Sequence, residues 1–317
     1  MRCLVTGAGG FAGGHLVTAL LAREHEVWAS GLDPLGDLTP AGTHDAPLDV
    51  TDRAACNALV RECRPDWVFH LAGFAHVGKA EQEPEECLAV NFGGTRNLLE
   101  ACLEASPDSR FLLVSSAEVY GRVAPGAPPL PETAPMRPAT VYAVSKAASE
   151  LAGYHAHARG LDVVILRPFN HIGPGQSADF VSSAFARQVA AIEAGLQEPV
   201  LRVGNLGAVR DFCDVRDAMA TYVMLAARGG SGEIYNVTSG VGVSIREVLT
   251  TLISLSRVEV RVETDPERLR TLDIPALHGS GEKLVRLMGR HLELDLERTL
   301  GDVLDYWRAT IGAERAR

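Results

Sequence analysis

The chain has 317 residues, of which 46% are hydrophobic and 22% are charged, a balance typical of a soluble globular protein. The formal net charge of -10 leaves no basic surplus to neutralise phosphates, which argues against nonspecific nucleic-acid binding. The six cysteines lack CxxC spacing, so we expect free thiols in a reducing cytoplasm. We find no apolar run long enough to cross a bilayer and no metal-ligand spacing, and we expect neither a membrane span nor a metal.

Strands and helices alternate through the first half of the chain. Short apolar runs predict strands at residues 2–6, 26–29, 45–50, 66–71, 110–115 and 162–167. Helical periodicity lies between them, at residues 15–23, 52–63, 84–105 and 142–159. This alternation predicts an α/β fold, a Rossmann-type doubly wound parallel sheet with helices on both faces.

The pattern becomes irregular after residue 167. A Gly/Pro loop at residues 168–176 precedes a helix at 180–195, short strands at 200–203 and 233–236, and an amphipathic stretch at 294–310. We therefore expect two domains. The larger comprises residues 1–167 and 212–240, and a smaller α/β C-terminal domain comprises residues 168–211 and 241–317.

A glycine-rich turn follows the first strand and opens the first helix. Glycine tolerates φ > 0, and its small size lets a pyrophosphate approach backbone N–H groups at a helix N-terminus. At a strand–helix junction near the N-terminus, such a turn is strong support for dinucleotide binding. The candidate cofactor contacts in this turn are Gly7, Gly10, Phe11, Ala12 and Gly13.

The second strand leaves the choice between NAD and NADP open. An acid normally ends this strand and binds the adenosine ribose hydroxyls, but that position is Gly31 here, and Asp33 follows two residues later. A missing acid leaves room for a 2′-phosphate, yet residues 31–37 contain no Arg to bind one. Asp49, at the end of the predicted third strand, is either an acceptor for the adenine or a helix cap.

Tyr142 and Lys146 are spaced so that they lie on one face of a helix, one turn apart. A free phenol titrates near pH ~10, and a nearby cation favours the phenolate, so we predict that Lys146 lowers the pKa of Tyr142. A ketone that accepts hydride develops negative charge on its oxygen. An O–H donor from Ser116, at the end of the fifth strand, and a proton from Tyr142 would stabilise that charge. The alternative for Ser116 is a strand-end cap.

Taken together, these motifs resemble those of the extended short-chain dehydrogenase/reductase family, the NAD-dependent epimerases and dehydratases. The shared motifs are the TGxxGxxG turn, His70-Leu71-Ala72-Gly73, Asn91-x-x-Gly94-Thr95-x-Asn97-Leu98-Leu99, Ser115-Ser116-Ala117-Glu118-Val119-Tyr120-Gly121, Tyr142-x-x-x-Lys146 and Leu166-Arg167-Pro168-Phe169-Asn170. They cover almost the whole chain, in order. The resemblance implies an enzyme of nucleotide-sugar metabolism that forms a cytoplasmic homodimer, with the helices at residues 84–105 and 142–159 paired as a four-helix bundle.

Within the family, residues 167–176, 203–217 and 265–270 are most similar to reductases of GDP-linked 4-keto-6-deoxy-mannose. The chain departs from them at Ala117, where they usually have Ser, and at Thr271-Leu272, where they tend to have Pro-Ser. This resemblance implies NAD(P)H-dependent reduction of a C4 ketone. The open alternatives are a nucleotide-sugar 4,6-dehydratase, in which Glu118 would remove the C5 proton, a 4-epimerase, and a non-catalytic nucleotide-sensing protein on the same scaffold.

The resemblance also implies the site residues. In it, Ser116 hydrogen-bonds the C4 oxygen, Tyr142 protonates that oxygen, and Lys146 holds the nicotinamide ribose. The further cofactor contacts that we expect are Asp33, Asp49, Val50, Leu71, Ala72, Gly73 and Asn91. The expected substrate contacts are Ser116, Asn170, Phe180, Val181, Arg210 and Arg270. The two arginines are candidate clamps for the diphosphate, because a guanidinium fork matches phosphate oxygens; the alternative for each is a surface ion pair.

Overall fold

The structure is a computed structural model that describes residues 1–35, 41–124, 126–268 and 274–316. Its strands are β1 (Arg2–Thr6), β2 (Glu26–Ser30), β3 (Thr43–Asp45), β4 (Trp67–His70), β5 (Arg110–Val114), β6 (Asp162–Pro168), β7 (Asn170–Ile172), β8 (Val200–Val203), β9 (Val209–Asp214), β10 (Ile234–Val237), β11 (Gly242–Ser244), β12 (Arg261–Thr264) and β13 (Ala276–Leu277). Its helices are α1 (Phe11–Leu21), α2 (Arg53–Cys63), α3 (Val77–Gln82), α4 (Pro84–Leu88), α5 (Thr95–Ala105), α6 (Val141–Ala158), α7 (Val181–Glu193), α8 (Val215–Arg228), α9 (Ile245–Ser254), α10 (Glu282–Met288) and α11 (Leu296–Ala316).

The larger sheet has seven parallel strands in the order β10-β6-β5-β4-β1-β2-β3. Successive residues of each strand face opposite sides, so Leu4 packs into one core and Val5 into the other. Helices α1 and α8 cover the side of Val5, and α2, α5 and α6 cover the side of Leu4. This arrangement confirms the predicted doubly wound α/β fold. Because the strand order reverses at β1, the carboxyl ends of β1 and β4 flank the crevice in which such folds bind ligands.

The second half of the chain builds a smaller layer beside this sheet. Strand β9 pairs with β7 and β13 in parallel and with β11 in antiparallel, and β8 pairs with β12. Helices α7, α9 and α11 pack around a third hydrophobic core that includes Phe185, Leu249 and Val303. The chain passes between the two layers more than once, since β10 returns to the edge of the larger sheet.

Several predicted elements differ from the structure. The first helix was expected at residues 15–23 and covers Phe11–Leu21. The third strand was expected at residues 45–50 but covers Thr43–Asp45. Ala46 and Leu48 still donate backbone hydrogen bonds to Ala29 and Gly31, so this segment does run along β2. It is not a regular strand, because Pro47 has no N–H to continue the ladder. The helix expected at residues 84–105 contains a π-helical turn, Ala89–Gly94, between α4 and α5. Helix α3 was not predicted.

All six cysteines are unpaired and buried, which confirms the predicted free thiols. Burial raises the pKa of Cys56 and of Cys102 to about 12, so these side chains stay protonated at neutral pH. Within the described ranges, none of the helices combines the length and hydrophobicity that a membrane crossing needs. The same ranges hold no group of three or more His, Cys, Asp or Glu that could bind a metal.

Candidate active site

The glycine turn joins β1 to α1 at the carboxyl edge of the larger sheet. Gly7 has a φ of +73°, and a Cβ at this position would lie 2.7 Å from the backbone nitrogen of Ala72. Gly10 precedes α1 without a side-chain capping bond, and the first turn of α1 contains no acidic residue. The first N–H groups of α1 therefore point toward the crevice without a capping side chain, as an anion-binding helix start requires.

His70 fixes the loop that faces this turn. Its Nδ1 lies 2.8 Å from Thr6 Oγ1, and its Nε2 lies 3.0 Å from Thr95 Oγ1. Burial lowers the pKa of His70 to about 3, so the ring is neutral and bridges two hydroxyls. Leu71 N–H donates to Thr6 O, and Ala72 N–H donates to Thr6 Oγ1. The predicted cofactor contacts Leu71 and Ala72 thus lie directly beside the glycine turn.

Asn91 lies in the π-helical turn and holds the next part of the same loop. Its Oδ1 accepts from Phe74 N–H at 2.7 Å, and its Nδ2 donates to Phe74 O at 3.2 Å and to Ser145 Oγ at 2.8 Å. A Cβ at Gly73 would lie 2.7 Å from Asn91 Oδ1 and 3.3 Å from Lys146 Nζ. Asn91 was predicted as a cofactor contact; in the structure its carboxamide holds the Gly73 loop against α6.

Ser116, Glu118, Tyr142 and Lys146 come together at the carboxyl end of β5. Ser116 precedes a short 3₁₀ turn, Ala117–Tyr120, and its Oγ accepts from Glu118 N–H at 3.1 Å. Lys146 Nζ donates to Val114 O at 3.0 Å and lies 6.0 Å from the centre of the Tyr142 ring. The structure therefore places the predicted serine, tyrosine and lysine in one cluster.

The electrostatics of Tyr142 differ from the prediction. Burial raises the pKa of Tyr142 to about 12, a hydrogen bond with Ser116 lowers it, and the charge of Glu118 raises it further. Lys146 is not among the groups that shift this pKa, so the expected lowering by its ammonium is wrong for the protein by itself. The physical reason is that burial desolvates the phenol, while the ammonium of Lys146 is engaged with the Val114 carbonyl.

The ammonium of Lys146 is also unusual. The side chain is 8% exposed, and none of the ion pairs among the described residues includes it. Burial lowers the pKa of Lys146 to about 8. The site thus combines the uncapped start of α1, two glycines (Gly7 and Gly73) whose neighbours leave no space for a side chain, and the buried ammonium of Lys146. These features fit the pyrophosphate and ribose of a dinucleotide cofactor.

Asp33 and Asp49 are the predicted contacts at the adenosine side of the cofactor site. Asp33 lies exposed in a bend after β2. Asp49 Oδ1 accepts from Thr51 N–H and Thr51 Oγ1, while Asp52 caps α2. Of the two interpretations of Asp49, the cap of this helix is therefore wrong. The remaining predicted contacts in the glycine-turn region are partly or fully buried; they are Phe11, Ala12 and Val50.

Apart from Ser116 and Arg270, the predicted substrate contacts lie on β7 and β9 and at the start of α7. Asn170 is half-buried on β7, and Phe180 and Val181 stand at the start of α7. The Phe180 ring meets His76 edge-on, with centroids 6.5 Å apart. Arg210 Nη1 donates to the carbonyls of Val209 and Ile274. The second candidate clamp, Arg270, lies outside the described residues.

Sequence reasoning missed a buried ion pair between Glu150 on α6 and Arg167 on β6. A signal for it was present, because Tyr142, Lys146 and Glu150 follow one another at intervals of one helical turn and so share a face. A carboxylate on the buried face of a helix needs a cationic partner, and Arg167 stands at the end of a predicted strand.

Comparisons with known proteins agree with this geometry. The "NAD dependent epimerase/dehydratase family" matches residues 3–238. A "GDP-6-deoxy-D-mannose reductase" of Pseudomonas aeruginosa is 37% identical over 99% of this chain and 99% of its own. The structure of RMD from Pseudomonas aeruginosa complexed with NADPH superposes with a TM-score of 0.86 at 34% identity, over 98% of this chain and 100% of its own. A UDP-glucose 4-epimerase of Thermus thermophilus, in complex with NAD, has a TM-score of 0.86 at 31% identity, over 97% and 99%.

Proposed function

We propose that this chain, which belongs to the NAD-dependent epimerase/dehydratase family, reduces the C4 ketone of a nucleotide-linked 4-keto-6-deoxy sugar with NADPH or NADH. A GDP-linked sugar, as in the conversion of GDP-4-keto-6-deoxy-mannose to GDP-rhamnose, is favoured by the relative named GDP-6-deoxy-D-mannose reductase. The observation that carries the proposal is the clustering of Ser116, Tyr142 and Lys146 at the carboxyl end of β5.

The side chains perform the proton part of this reaction. When bound, the reduced nicotinamide supplies the hydride. Tyr142 is protonated at neutral pH, so it can give its proton to the oxygen that gains negative charge. Ser116 Oγ accepts from Glu118 N–H and is also hydrogen-bonded to Tyr142, and we propose that its hydroxyl donates to the same oxygen once the substrate is bound. We propose that Lys146 holds the nicotinamide ribose.

The match to the relative named GDP-6-deoxy-D-mannose reductase, at 37% identity over 99% of this chain, favours a reductase over an epimerase or a dehydratase. Both of these begin by oxidising a C4 alcohol, for which Tyr142 must act as a base. Glu118 supports the dehydratase alternative, since its charge acts on Tyr142 and it could remove a C5 proton. Ala117 beside it cannot protonate a leaving hydroxyl. We therefore place the reductase first.

The test supplies GDP-4-keto-6-deoxy-mannose and reduced cofactor to the purified protein. A reductase oxidises NADPH or NADH only when this ketose is present, which is followed by the loss of nicotinamide absorbance. Conversion of GDP-mannose alone to a 4-keto product, without net oxidation of added cofactor, would establish the dehydratase. Interconversion of C4 epimers of a nucleotide sugar would establish the epimerase.

Cofactor binding is expected to weaken as the pH rises above about 8. The pKa of Lys146 is lowered to about 8, so the ammonium loses its proton through this range and with it the donor proposed for the ribose. Calorimetric titration with NADH between pH 6.5 and 9.5 checks this. In a Lys146→Arg variant the cation persists, and the pH dependence should flatten. An affinity of the wild type that does not change through pH 8 would contradict the role of this ammonium.

Replacement of Arg210 by Met is expected to raise the KM of the nucleotide sugar about tenfold or more, with a smaller effect on kcat. A charged hydrogen bond to phosphate contributes about 1.5–3 kcal/mol, and we propose that Arg210, which is partly buried on β9, donates one to the diphosphate. Arg202→Met, on the exposed side of β8, is the matched control and should leave KM unchanged. Equal KM values for the Arg210 variant and the wild type would remove Arg210 from the substrate site.

We also propose the finer organisation of the protein. Residues 1–167 and 212–240 would bind the cofactor, and residues 168–211 and 241–317 the nucleotide sugar. Val144 and Leu151 on α6 are 45% and 60% exposed, one above the other, and exposed apolar faces of this kind mark interfaces. We propose a homodimer through α4, α5 and α6, which sedimentation at micromolar concentration tests. The unpaired thiols fit the cytoplasm.

A further inference from the structure

A buried ion pair joins α6 to β6 behind the catalytic cluster. The side chains of Arg167 and Glu150 are 3% and 0% exposed. Arg167 Nε donates to Glu150 Oε1 at 2.9 Å, and Arg167 Nη2 donates to Glu150 Oε2 at 2.7 Å. Two parallel bonds between planar groups fix the orientation of the pair as well as its distance. The pair therefore restricts how α6 can move relative to the sheet.

The same carboxylate contacts the segment that carries Ser116. The Ser115 hydroxyl donates to Glu150 Oε1, and Ser115 N–H donates to Leu166 O at 2.8 Å. On α6, Glu150 is one turn from Lys146 and two turns from Tyr142, on the same face. Glu150 thus links the strand end that holds Ser116 to the helix that holds the tyrosine and the lysine.

Arg167 extends this network around the turn that carries Glu118. Its guanidinium lies 4.8 Å from the centre of the Tyr120 ring, and its Nη1 donates to Glu132 O at 3.1 Å. Tyr120 Oη donates to Asn236 Oδ1 at 2.7 Å, and Asn236 N–H donates to Glu132 Oε1 at 2.9 Å. These contacts hold the Tyr120 end of the turn, while the bond between Ser115 and Glu150 holds the strand that leads into Ser116.

We propose that Glu150 and Arg167 are positioning residues that set Ser116 against Tyr142, and thereby control proton delivery to the substrate oxygen. The inference rests on the proposed reductase function. Both side chains are buried away from solvent, so neither is placed to bind substrate or cofactor. Replacement of a buried pair by apolar residues is often neutral for stability, so stability alone does not account for an ion pair at this position. A requirement for a fixed position of α6 relative to the sheet does account for it.

The central experiment uses Glu150→Gln, which keeps the shape of the side chain and removes its charge. The amide has one acceptor oxygen where the carboxylate has two, so it cannot accept both hydrogen bonds from Arg167. We therefore expect α6 to be held less rigidly against β6. We expect kcat to fall about 10- to 100-fold, because a displacement near 1 Å can reduce a rate by this order. The KM of the ketose and the Kd of NADPH should change less than about threefold. The solvent deuterium isotope effect on kcat should rise, because proton transfer becomes slower.

A second ion pair provides the matched control. Arg308 donates to both carboxylate oxygens of Glu193 at 2.7 Å and joins α7 to α11, on the far side of the smaller core. Glu193→Gln should lower the melting temperature but leave kcat and the isotope effect unchanged. Ser115→Ala removes one bond to Glu150 and keeps the ion pair, and a smaller fall in kcat with a raised isotope effect is expected. This variant tests the inference even if Glu150→Gln does not fold.

Distinct outcomes separate this inference from the proposed function. A wild-type protein that binds NADPH but reduces no 4-keto sugar would overturn the proposed function, and this inference with it. With an active wild type, the inference alone fails if Glu150→Gln or Ser115→Ala loses rate only in proportion to its folded fraction. It also fails if the isotope effect stays at the wild-type value, or if the loss lies in KM and not in kcat.

Discussion

Replacement of Tyr142 by Phe is expected to lower kcat about 10²–10⁴-fold, the usual contribution of a positioned proton donor. The change removes one hydroxyl and keeps the ring, so the packing of α6 should persist. The affinity for NADPH should remain within a few-fold, since the proposed cofactor contacts of the glycine turn and Lys146 are intact. Single-turnover measurements with the 4-keto sugar would isolate the chemical step from product release.

Tyr306→Phe is the control for this experiment. Tyr306 lies on α11 and is 37% exposed, so loss of its hydroxyl should leave kcat unchanged. If the Tyr142 variant turned over as fast as the wild type, the proton would have to come from another group. That result would remove Tyr142 as the proton donor, whereas a wild type that binds cofactor but shows no turnover would support the non-catalytic nucleotide-sensing alternative.

The fold could be predicted from the sequence because its signals are local. Short apolar runs marked strands that are buried on both faces, and the intervening helical periods matched α2 and α6 closely. Two of the wrong predictions within this part of the fold also have local causes. Pro47 ends the third strand early, and the π-helical turn at Ala89–Gly94 inserts an extra residue in a helix whose apolar period does not reveal it.

The candidate site was only partly predictable. The glycine turn and the Tyr142/Lys146 spacing are short-range patterns, and the family resemblance built on them is confirmed by the match over residues 3–238. The direction of the Tyr142 pKa was not predictable from spacing, because it depends on burial by distant segments. The pairing of Glu150 with Arg167 likewise joins a helix to a separate strand, which periodicity within each element cannot show.

The reaction itself is a separate question from the fold. A relative named as a reductase and a structural neighbour named as a UDP-glucose 4-epimerase both match this chain almost end to end. The scaffold therefore permits several reactions, and the choice between them depends on the residues beside Tyr142, such as Ala117 and Glu118.

Replacement of Gly13 by Ala is expected to weaken cofactor binding severely. A Cβ at this position would overlap the carbonyl oxygen of Gly7 and lie 2.8 Å from Ala8 Cα, so the turn must move. Overpacking of a rigid site costs about 1–3 kcal/mol. If the cofactor requires the original turn, the Kd of NADPH should rise about 5- to 150-fold, since each 1.4 kcal/mol is about tenfold. Calorimetric titration measures this change directly.

Gly14→Ala makes the same chemical change one residue later and supplies the control. A Cβ at Gly14 would lie 3.8 Å from the Ala8 carbonyl oxygen, an ordinary contact. Since alanine is favoured over glycine inside a helix by about 1 kcal/mol, this variant should melt at or above the wild-type temperature and bind cofactor normally. If Gly13→Ala and Gly14→Ala bound NADPH equally well, the close packing of α1 against the glycine turn would not be what shapes the pyrophosphate site.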